Sequence, residues 1–164
     1  MIEAKDITYA YGKRLVLKEA SLIAMPGQCV GLAGANGCGK STLLGLLSGA
    51  LRPQGGSCCI NGQDAFKNRR LFSAGVGYVP QEDALIEELT VMDNLRLWYG
   101  TRSAVADAMR RGFLSVLKLG ELLKMPVRHL SGGQKKRVSI GCAMAGEPPL
   151  LIMDEPTTGL HFED

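Results

Sequence analysis

The stretch Gly34-Ala35-Asn36-Gly37-Cys38-Gly39-Lys40-Ser41 decides the fold of this chain, because it matches the pattern G-x-x-x-x-G-K-[ST] at every fixed position. Glycines let a backbone turn tightly and bring consecutive N–H groups within bonding distance of phosphate oxygens. In this pattern the lysine, here Lys40, reaches the β and γ phosphates, and the hydroxyl of Ser41 is a magnesium ligand. The stretch therefore predicts a loop that binds nucleotide phosphates and Mg²⁺.

The residues on either side of this phosphate loop match the context that the pattern requires. Residues 28–33 form a short apolar run that predicts a strand, and residues 42–47 predict a helix. The N-terminus of that helix adds its partial positive charge to the site. The residues expected to contact the nucleotide phosphates are Gly34, Asn36, Gly37, Cys38, Gly39, Lys40, Ser41 and Thr42.

A second apolar run, residues 150–153, leads directly into Asp154 and Glu155. Four consecutive apolar residues suit a strand that is covered on both faces, as in a parallel sheet between helices. Folds of this kind bind ligands at the carboxyl ends of their strands. Asp154 is therefore expected to hold magnesium, directly or through water, and Glu155 to orient or deprotonate the attacking water.

A third motif, Leu130-Ser131-Gly132-Gly133-Gln134, lies later in the chain. Ser131 and Gln134 have the spacing of a capping box, so the motif should begin a helix. A helix that begins there presents N–H groups and the positive end of its dipole to an anion.

Together these motifs resemble the nucleotide-binding domain of ATP-binding cassette (ABC) ATPases, and the likeness runs from Met1 to about Leu160. The third motif matches the family signature letter for letter. The resemblance implies an α/β P-loop NTPase fold with a parallel core sheet, a small antiparallel β-subdomain and a helical signature subdomain at about residues 90–146. It also implies ATP and Mg²⁺ as cofactors, within one ATP-binding domain that covers residues 1–164.

The resemblance further implies a head-to-tail dimer with a second ABC ATPase subunit. In such a dimer the signature of one subunit closes over the ATP that the phosphate loop of the other holds. The signature residues expected to contact that ATP are Ser131, Gly132, Gly133 and Gln134.

Two more residues acquire roles from the same resemblance. Tyr11, just before Gly12, fits the aromatic residue that stacks on adenine, although Tyr9 is a rival candidate. Gln81 resembles the glutamine that senses magnesium and the attacking water. We therefore expect Gln81 to contact the metal and to take part in hydrolysis together with Glu155 and Lys40.

The spacing of apolar residues gives the remaining elements. Residues 1–9, 15–23 and 57–60 predict the strands of the small antiparallel sheet, with a turn at the pair Gly55-Gly56 before the third strand, and residues 75–79 predict a core strand leading to Gln81. From about residue 90 to residue 124 the pattern is helical. One apolar stripe is expected there, formed by Val105, Met109, Phe113, Val116 and Leu117.

Composition favours a soluble module over a membrane-spanning one. The chain has 164 residues, of which 46% are hydrophobic, enough for one domain with a sizeable core. No apolar run approaches the ~18 to 20 residues that span a bilayer. The residues after Met1 do not show the charged start and apolar core of a secretion signal, so we expect the chain to stay in the cytosol. The net charge of +3 does not require a nucleic acid partner, and the basic clusters at residues 67–70 and 135–137 are expected to be solvated faces.

Five cysteines show neither a C-x-x-C pair nor metal-ligand spacing, which is typical of reduced thiols in the cytosol. Cys38 differs in position, because it lies in the phosphate loop. We therefore expect thiol alkylation to block nucleotide binding and bound ATP to protect against it.

The leading interpretation is the ATP-hydrolysing subunit of an exporter-type membrane transporter, located in the cytoplasm on the inner face of the cell membrane. Movement would pass through residues 81–95 into a separate transmembrane permease. Two alternatives are a soluble ABC ATPase of DNA repair or translation, and a truncated chain that binds nucleotide without hydrolysing it.

The end of the chain departs from the family pattern. His161 occupies the place of a family aspartate, as in the loop of the excision-repair ABC ATPases, and the later family histidine that contacts the γ phosphate is not present by Asp164. The histidine at position 161 does not by itself speak against function. A parallel core sheet without the later strands of the family would leave an open edge, which favours a fragment of a longer protein over a native chain that ends early. The 164 residues alone are accordingly expected to hydrolyse ATP poorly.

Overall fold

The computed structural model describes residues 1–156, apart from the side chain of Arg111. The chain divides into two compact units, Met1–Val76 and Gly77–Asp164, and the second is described as far as Pro156. His161 and its loop, for which the sequence predicts a departure from the family pattern, lie outside the described residues.

An antiparallel sheet of four strands forms the first unit, in the order β2-β1-β3-β4. The strands are β1 (Ile2–Tyr11), β2 (Arg14–Ala24), β3 (Gly55–Ile60) and β4 (Gln63–Asp64). Strand β1 lies in the middle and pairs with both β2 and β3. This arrangement confirms the predicted small antiparallel sheet.

Two helices complete the first unit. Helix α1 (Lys40–Leu47) begins inside the phosphate loop, two residues earlier than predicted, and helix α2 (Arg70–Gly75) follows β4 at the end of the unit. Buried side chains from β1, β2, β3 and α1 form the apolar interior: Ile2, Ala4, Ile7, Leu17, Leu46, Leu47, Cys58 and Ile60.

The predicted turn at Gly55-Gly56 is wrong, because both residues belong to β3. Gly56 has a φ of +89°, and a Cβ there would lie 2.5 Å from the carbonyl oxygen of Lys5. The pairing of β1 with β3 shifts register between Lys5 and Thr8 at this place. Glycine is therefore needed for a close approach of two paired backbones.

The predicted strand at residues 28–33 is also wrong, because this segment has no regular secondary structure. Among the described residues no strand pairs with it, and Val30 is 47% exposed. A strand requires partners for its N–H and C=O groups, so an apolar run alone does not make one.

The second unit contains a two-stranded parallel sheet of β5 (Val76–Val79) and β6 (Leu150–Met153). The N–H of Asp154 donates to the carbonyl of Val79 at 2.9 Å, which continues this pairing by one residue past β6. Both strands were predicted within one residue. Their carboxyl ends lead to Gln81 and to Asp154.

Between these strands the chain is helical. The α-helices are α3 (Val91–Tyr99), α4 (Arg102–Arg111) and α5 (Gly132–Ala143), and three short 3₁₀ segments lie at Phe113–Leu117, Gly120–Leu122 and Val127–His129. They enclose one apolar core: Val91, Leu95, Val105, Leu114, Leu117, Leu119, Leu122, Val127, Leu130, Val138 and Cys142. Over residues 1–156, no helix has the length and apolar character needed to cross a membrane.

The predicted apolar stripe holds only in part. Val105 and Leu117 are buried, and Met109 packs against the core, whereas Phe113 and Val116 are 41% and 66% exposed. Helix α4 stops at Arg111 because Gly112 is extended, and the next residues wind as a 3₁₀ helix. The change of winding rotates later side chains off the α-helical stripe.

Asn94 connects α3 to the segment before it and gives a test of this fold. It is 2% exposed, its Oδ1 accepts from the N–H of Ile86 at 2.8 Å, and its Nδ2 donates to the carbonyls of Ile86 and Thr90. Asn94→Ala should lower the free energy of unfolding by about 2 kcal/mol, because it leaves partly buried backbone groups without partners. Urea unfolding followed by circular dichroism measures this change.

Leu97→Ala on the same helix is the matched control, because Leu97 is 61% exposed. It should change the free energy of unfolding by less than about 0.5 kcal/mol. Equal losses in the two variants would contradict the role given to Asn94.

Candidate active site

The phosphate loop turns at two glycines that adopt left-handed backbone conformations. Gly37 has a φ of +78° and Gly39 a φ of +102°. A Cβ at Gly39 would lie 2.9 Å from a side-chain carbon of Leu17 and 3.2 Å from the carbonyl oxygen of Val16. Position 39 therefore requires glycine for two reasons, the positive φ and the lack of room for a side chain beside strand β2.

The Lys40 ammonium folds back over this loop. Its Nζ donates to the carbonyls of Gly34 at 2.8 Å and Ala35 at 3.0 Å. An ammonium has three donors, so one remains for a phosphate oxygen. The side chain predicted to bind the β and γ phosphates is thus held in place by the loop itself.

Helix α1 begins without a side-chain cap, because its N-cap residue is Gly39. The N–H of Leu43 bonds to the carbonyl of Gly39, which leaves the N–H groups of Lys40, Ser41 and Thr42 outside the helical ladder. Ser41 is exposed and Thr42 is buried. Such a helix end attracts an anion, as the sequence predicts.

Of the two tyrosines considered for adenine stacking, Tyr11 is the more exposed. It lies at the end of β1 and is 52% exposed, whereas Tyr9 is partly buried. The two rings meet edge to face with centroids 5.0 Å apart. Tyr9 therefore supports the ring of Tyr11, which keeps an exposed surface for a planar ligand.

In the second unit, the structure brings Gln81 and Glu155 together. The Nε2 of Gln81 donates to Oε2 of Glu155 at 3.1 Å. Glu155 is exposed and has a φ of +46°, an uncommon conformation for a residue other than glycine. Strained backbone of this kind clusters at functional sites.

Asp154, the neighbour of Glu155, has the opposite environment. It is 4% exposed, and within residues 1–156 its carboxylate forms no ion pair. Burial raises the pKa of Tyr78, and the negative charge of Asp154 raises it further, so the phenol stays protonated at neutral pH. A buried carboxylate without an ion pair suits a bound cation.

The signature motif begins helix α5 with the predicted capping box. The N–H of Gln134 donates to Oγ of Ser131 at 3.2 Å, and the N–H of Ser131 donates to Oε1 of Gln134 at 3.0 Å. The Ser131 hydroxyl accepts one bond there, so its own hydrogen can still donate. Gly132 and Gly133 follow in the first turn and carry N–H groups that the helical ladder does not use.

One residue was missed by the sequence analysis. Residues 135–137 were expected to form a solvated face, but Lys136 is only 3% exposed and its ammonium contacts the segment around Gln81. Lys136 lies three residues after Gly133 and three before Ser139, both of which are buried on the same helix. That helical spacing was the available signal, and the basic cluster obscured it.

The candidate residues belong to two separate units. The phosphate loop and Tyr11 lie in Met1–Val76, whereas Gln81, Asp154, Glu155 and the signature lie in Gly77–Asp164. Of the predicted catalytic residues, Gln81 and Glu155 lie in the same unit and contact each other there.

Comparisons with known proteins agree with these motifs. The family model for ABC transporters matches residues 17–158. Over 162 residues the chain is 36% identical to the Nod factor export ATP-binding protein I of Rhizobium etli, covering 97% of this chain and 51% of that protein. It is 37% identical to the linearmycin resistance ATP-binding protein LnrL of Bacillus subtilis, covering 98% of this chain and 52% of that protein.

Among solved structures, one of those similar is a dimeric ATP-binding cassette in a post-hydrolysis state bound to ADP and Pi. It is 27% identical, has a TM-score of 0.82, and covers 99% of this chain and 77% of that chain. The chain spans about half the length of the two curated relatives. The family model and the two relatives show that the chain belongs to the ABC transporter family, within the part that carries the ATP-binding cassette.

Proposed function

We propose that this chain is the ATP-binding and ATP-hydrolysing part of an exporter-type ABC transporter. One observation carries the proposal: the phosphate loop is already shaped for an anion, with Lys40 bonded to two loop carbonyls and the first N–H groups of α1 uncapped. The family membership supplies the identity of that anion as a nucleotide phosphate.

ATP would bind by its phosphates to the loop and by its adenine to Tyr11. The loop contributes backbone N–H groups from residues 34–42, the ammonium of Lys40 and the hydroxyl of Ser41. Tyr11 is 52% exposed and its ring meets that of Tyr9 edge to face, which favours it over its rival. The signature of a second subunit, Ser131 to Gln134, would contribute the donors that close over the same ATP.

Magnesium is proposed to bind with ATP, held by oxygen ligands from Ser41, Gln81 and Asp154. The donors are one hydroxyl, one amide and one carboxylate, which suit Mg²⁺ because it takes oxygen ligands and retains waters and phosphate oxygens. The buried carboxylate of Asp154 forms no ion pair within residues 1–156, which fits a cation ligand. Bound there, the ion would neutralise charge on the β and γ phosphates.

Glu155 is the proposed base for the attacking water. Its carboxylate accepts the amide hydrogen of Gln81 at 3.1 Å, so one oxygen is oriented and the carboxylate faces the residue proposed to sense the water. Hydrolysis would need no covalent intermediate, because positioning and charge neutralisation carry phosphoryl transfer to water.

The proposed assembly is a head-to-tail pair of these cassettes beside a transmembrane permease, in the cytoplasm at the inner face of the membrane. The relatives named for Nod factor export and linearmycin resistance favour this transporter role over an ABC ATPase of DNA repair or translation. Residues 90–146 would form the helical signature subdomain of a single ATP-binding domain, and no direct nucleic acid contact is expected.

Lys40→Ala tests nucleotide binding. The loss of a charge-assisted contact with phosphate should weaken Mg-ATP binding by about 30- to 100-fold, measured by titration calorimetry. Lys67→Ala is the control, because it removes a lysine with an 87% exposed side chain elsewhere in the same unit. Unchanged affinity in Lys40→Ala would contradict the phosphate site.

Alkylation of Cys38 gives a second test of the same loop. Cys38 and Cys29 are both exposed free thiols, but only Cys38 lies in the phosphate loop. N-ethylmaleimide at Cys38 should block ATP binding, because the added group occupies the phosphate cradle. Peptide mass spectrometry should show that ATP slows the labelling of Cys38 and leaves that of Cys29 unchanged; equal protection of both would count against the proposal.

Glu155→Gln tests hydrolysis in a form of the protein that turns over ATP. The amide can still accept from Gln81 but cannot take a proton from water. We expect ATP affinity to be kept and kcat to fall by about 100-fold or more, measured by phosphate release. Glu88→Gln, at an exposed carboxylate, should keep normal turnover; normal turnover in Glu155→Gln would remove the assignment of the base.

A further inference from the structure

The Lys136 ammonium is buried in the second turn of α5, and its polar contacts lie on one short segment of the chain. Its Nζ donates to the carbonyls of Pro80 at 3.2 Å and Gln81 at 3.1 Å, and lies 3.0 Å from Oδ1 of Asp83. Two hydrogen bonds and one ion-pair contact therefore join the ammonium to three oxygens within residues 80–83. The segment that carries Gln81 is folded around a side chain of the signature helix.

The buried charges of Lys136 and Asp83 depend on each other. The side chains of Lys136 and Asp83 are 3% and 18% exposed. Oδ1 of Asp83 is buried and has no hydrogen-bond partner among residues 1–156, so its compensation is the ion-pair contact with the ammonium. Removing one partner of a buried pair leaves the other charge uncompensated, which is strongly unfavourable.

The contacts continue from the backbone of Gln81 to the proposed base. Lys136 holds the carbonyl of Gln81, and the side chain of the same residue donates to Glu155 at 3.1 Å. These two bonds in series join α5 to Glu155 inside one unit of the chain. A hydrogen bond is lost by about 3.6 Å, so a shift of α5 by half an ångström is enough to disturb the series.

We propose that Lys136 is a positioning residue: it fixes the backbone of Gln81 against the signature helix, so that the orientation of α5 sets how Gln81 holds Glu155. The proposal rests on the proposed ATP hydrolysis and assigns to it a residue outside the motifs. Lys136 touches neither nucleotide nor water in this role and acts through Gln81.

The neighbouring lysine provides a matched control. Lys135 also reaches the segment after Gln81, through a 2.6 Å contact with Glu87, but the two side chains are 26% and 58% exposed. The hydrogen bond from Lys135 and its positive charge lower the pKa of Glu87. An exposed pair of this kind contributes little, and it bonds to a side chain rather than to the backbone of Gln81.

The kinetic test compares Lys136→Met with Lys135→Met in a form of the protein that hydrolyses ATP. Methionine keeps most of the volume of lysine and removes the donors. Lys136→Met should lower kcat by about tenfold or more with KM and ATP affinity within about twofold, because misplacing a positioned group slows the chemical step. Lys135→Met should stay within about twofold of the parent, and Lys136→Arg should recover part of the lost kcat.

The double variant with Asp83→Asn guards against misfolding. Lys136→Met leaves the Asp83 charge buried, and Lys136→Met with Asp83→Asn removes that charge as well. The double variant should fold with a urea midpoint near the parent and still show the loss of kcat. Normal kcat in this folded double variant would overturn the proposal.

A second cycle tests whether Lys136 acts through Gln81. In a Gln81→Ala background, adding Lys136→Met should lower kcat by less than about twofold, because the side chain that it positions is already gone. A full additional loss would show that Lys136 acts by another route, and the proposal would fail.

A final measurement does not depend on hydrolysis. The side-chain amide of Gln81 gives a nitrogen-15 resonance that is identified by its absence in Gln81→Ala. This resonance should shift in Lys136→Met and keep its position in Lys135→Met, without nucleotide. An unchanged resonance overturns the inference even if ATP is hydrolysed, whereas loss of hydrolysis in every form of the protein would overturn only the proposed function.

Discussion

The phosphate loop depends on a backbone conformation that glycine adopts without strain, at two of its residues. Gly37 and Gly39 both have positive φ, and the second also leaves no room for a side chain against strand β2. Because Gly39 cannot cap the helix that follows it, the first N–H groups of α1 stay available for phosphate. The small antiparallel sheet therefore supports the loop, since Val16 and Leu17 of strand β2 lie against Gly39.

Helix α5 has a comparable role in the second unit. Gly141 allows its close approach to the neighbouring elements, because a Cβ there would lie 3.0 Å from Leu114 and 3.3 Å from Leu95. Val138 and Cys142 are buried in the same core. The helix is thus fixed by apolar packing along most of its length, and its first turn is fixed by the capping box. Because the helix is held in this way, the position from which Lys136 makes its polar contacts is also fixed.

Local patterns predicted the fold where the deciding interactions are local. The phosphate loop and the capping box at Ser131 each follow from residues close together in the chain, and the structure forms them as expected. The strand predicted at residues 28–33 was wrong because a strand forms only beside a paired neighbour, and a segment's own sequence does not show whether it has one. The stripe through Phe113 failed because one extended glycine changed the helix type.

The candidate site residues were also named from local motifs, and the roles given to them stay predictions. Motifs identified Gln81 and Glu155 separately. The hydrogen bond between them joins residues 74 apart in the chain, so it could be found only in the folded structure. Lys136 was hidden because a run of three basic residues resembles a solvated surface, and only the burial of one face of α5 separates it from its neighbours.

The contrast between Lys135 and Lys136 shows why a buried contact, rather than an exposed one, can couple helix α5 to the segment that carries Gln81. An exposed pair exchanges readily with water, so its loss leaves both partners hydrated and the neighbouring backbone where it was. A buried ammonium has no such substitute, and its three oxygens must move with it or lose it together. Coupling between two elements requires an arrangement that is either kept or broken as a whole. The cluster of Lys136, Asp83 and the two backbone carbonyls meets that requirement, and through Gln81 it ends on the carboxylate of Glu155.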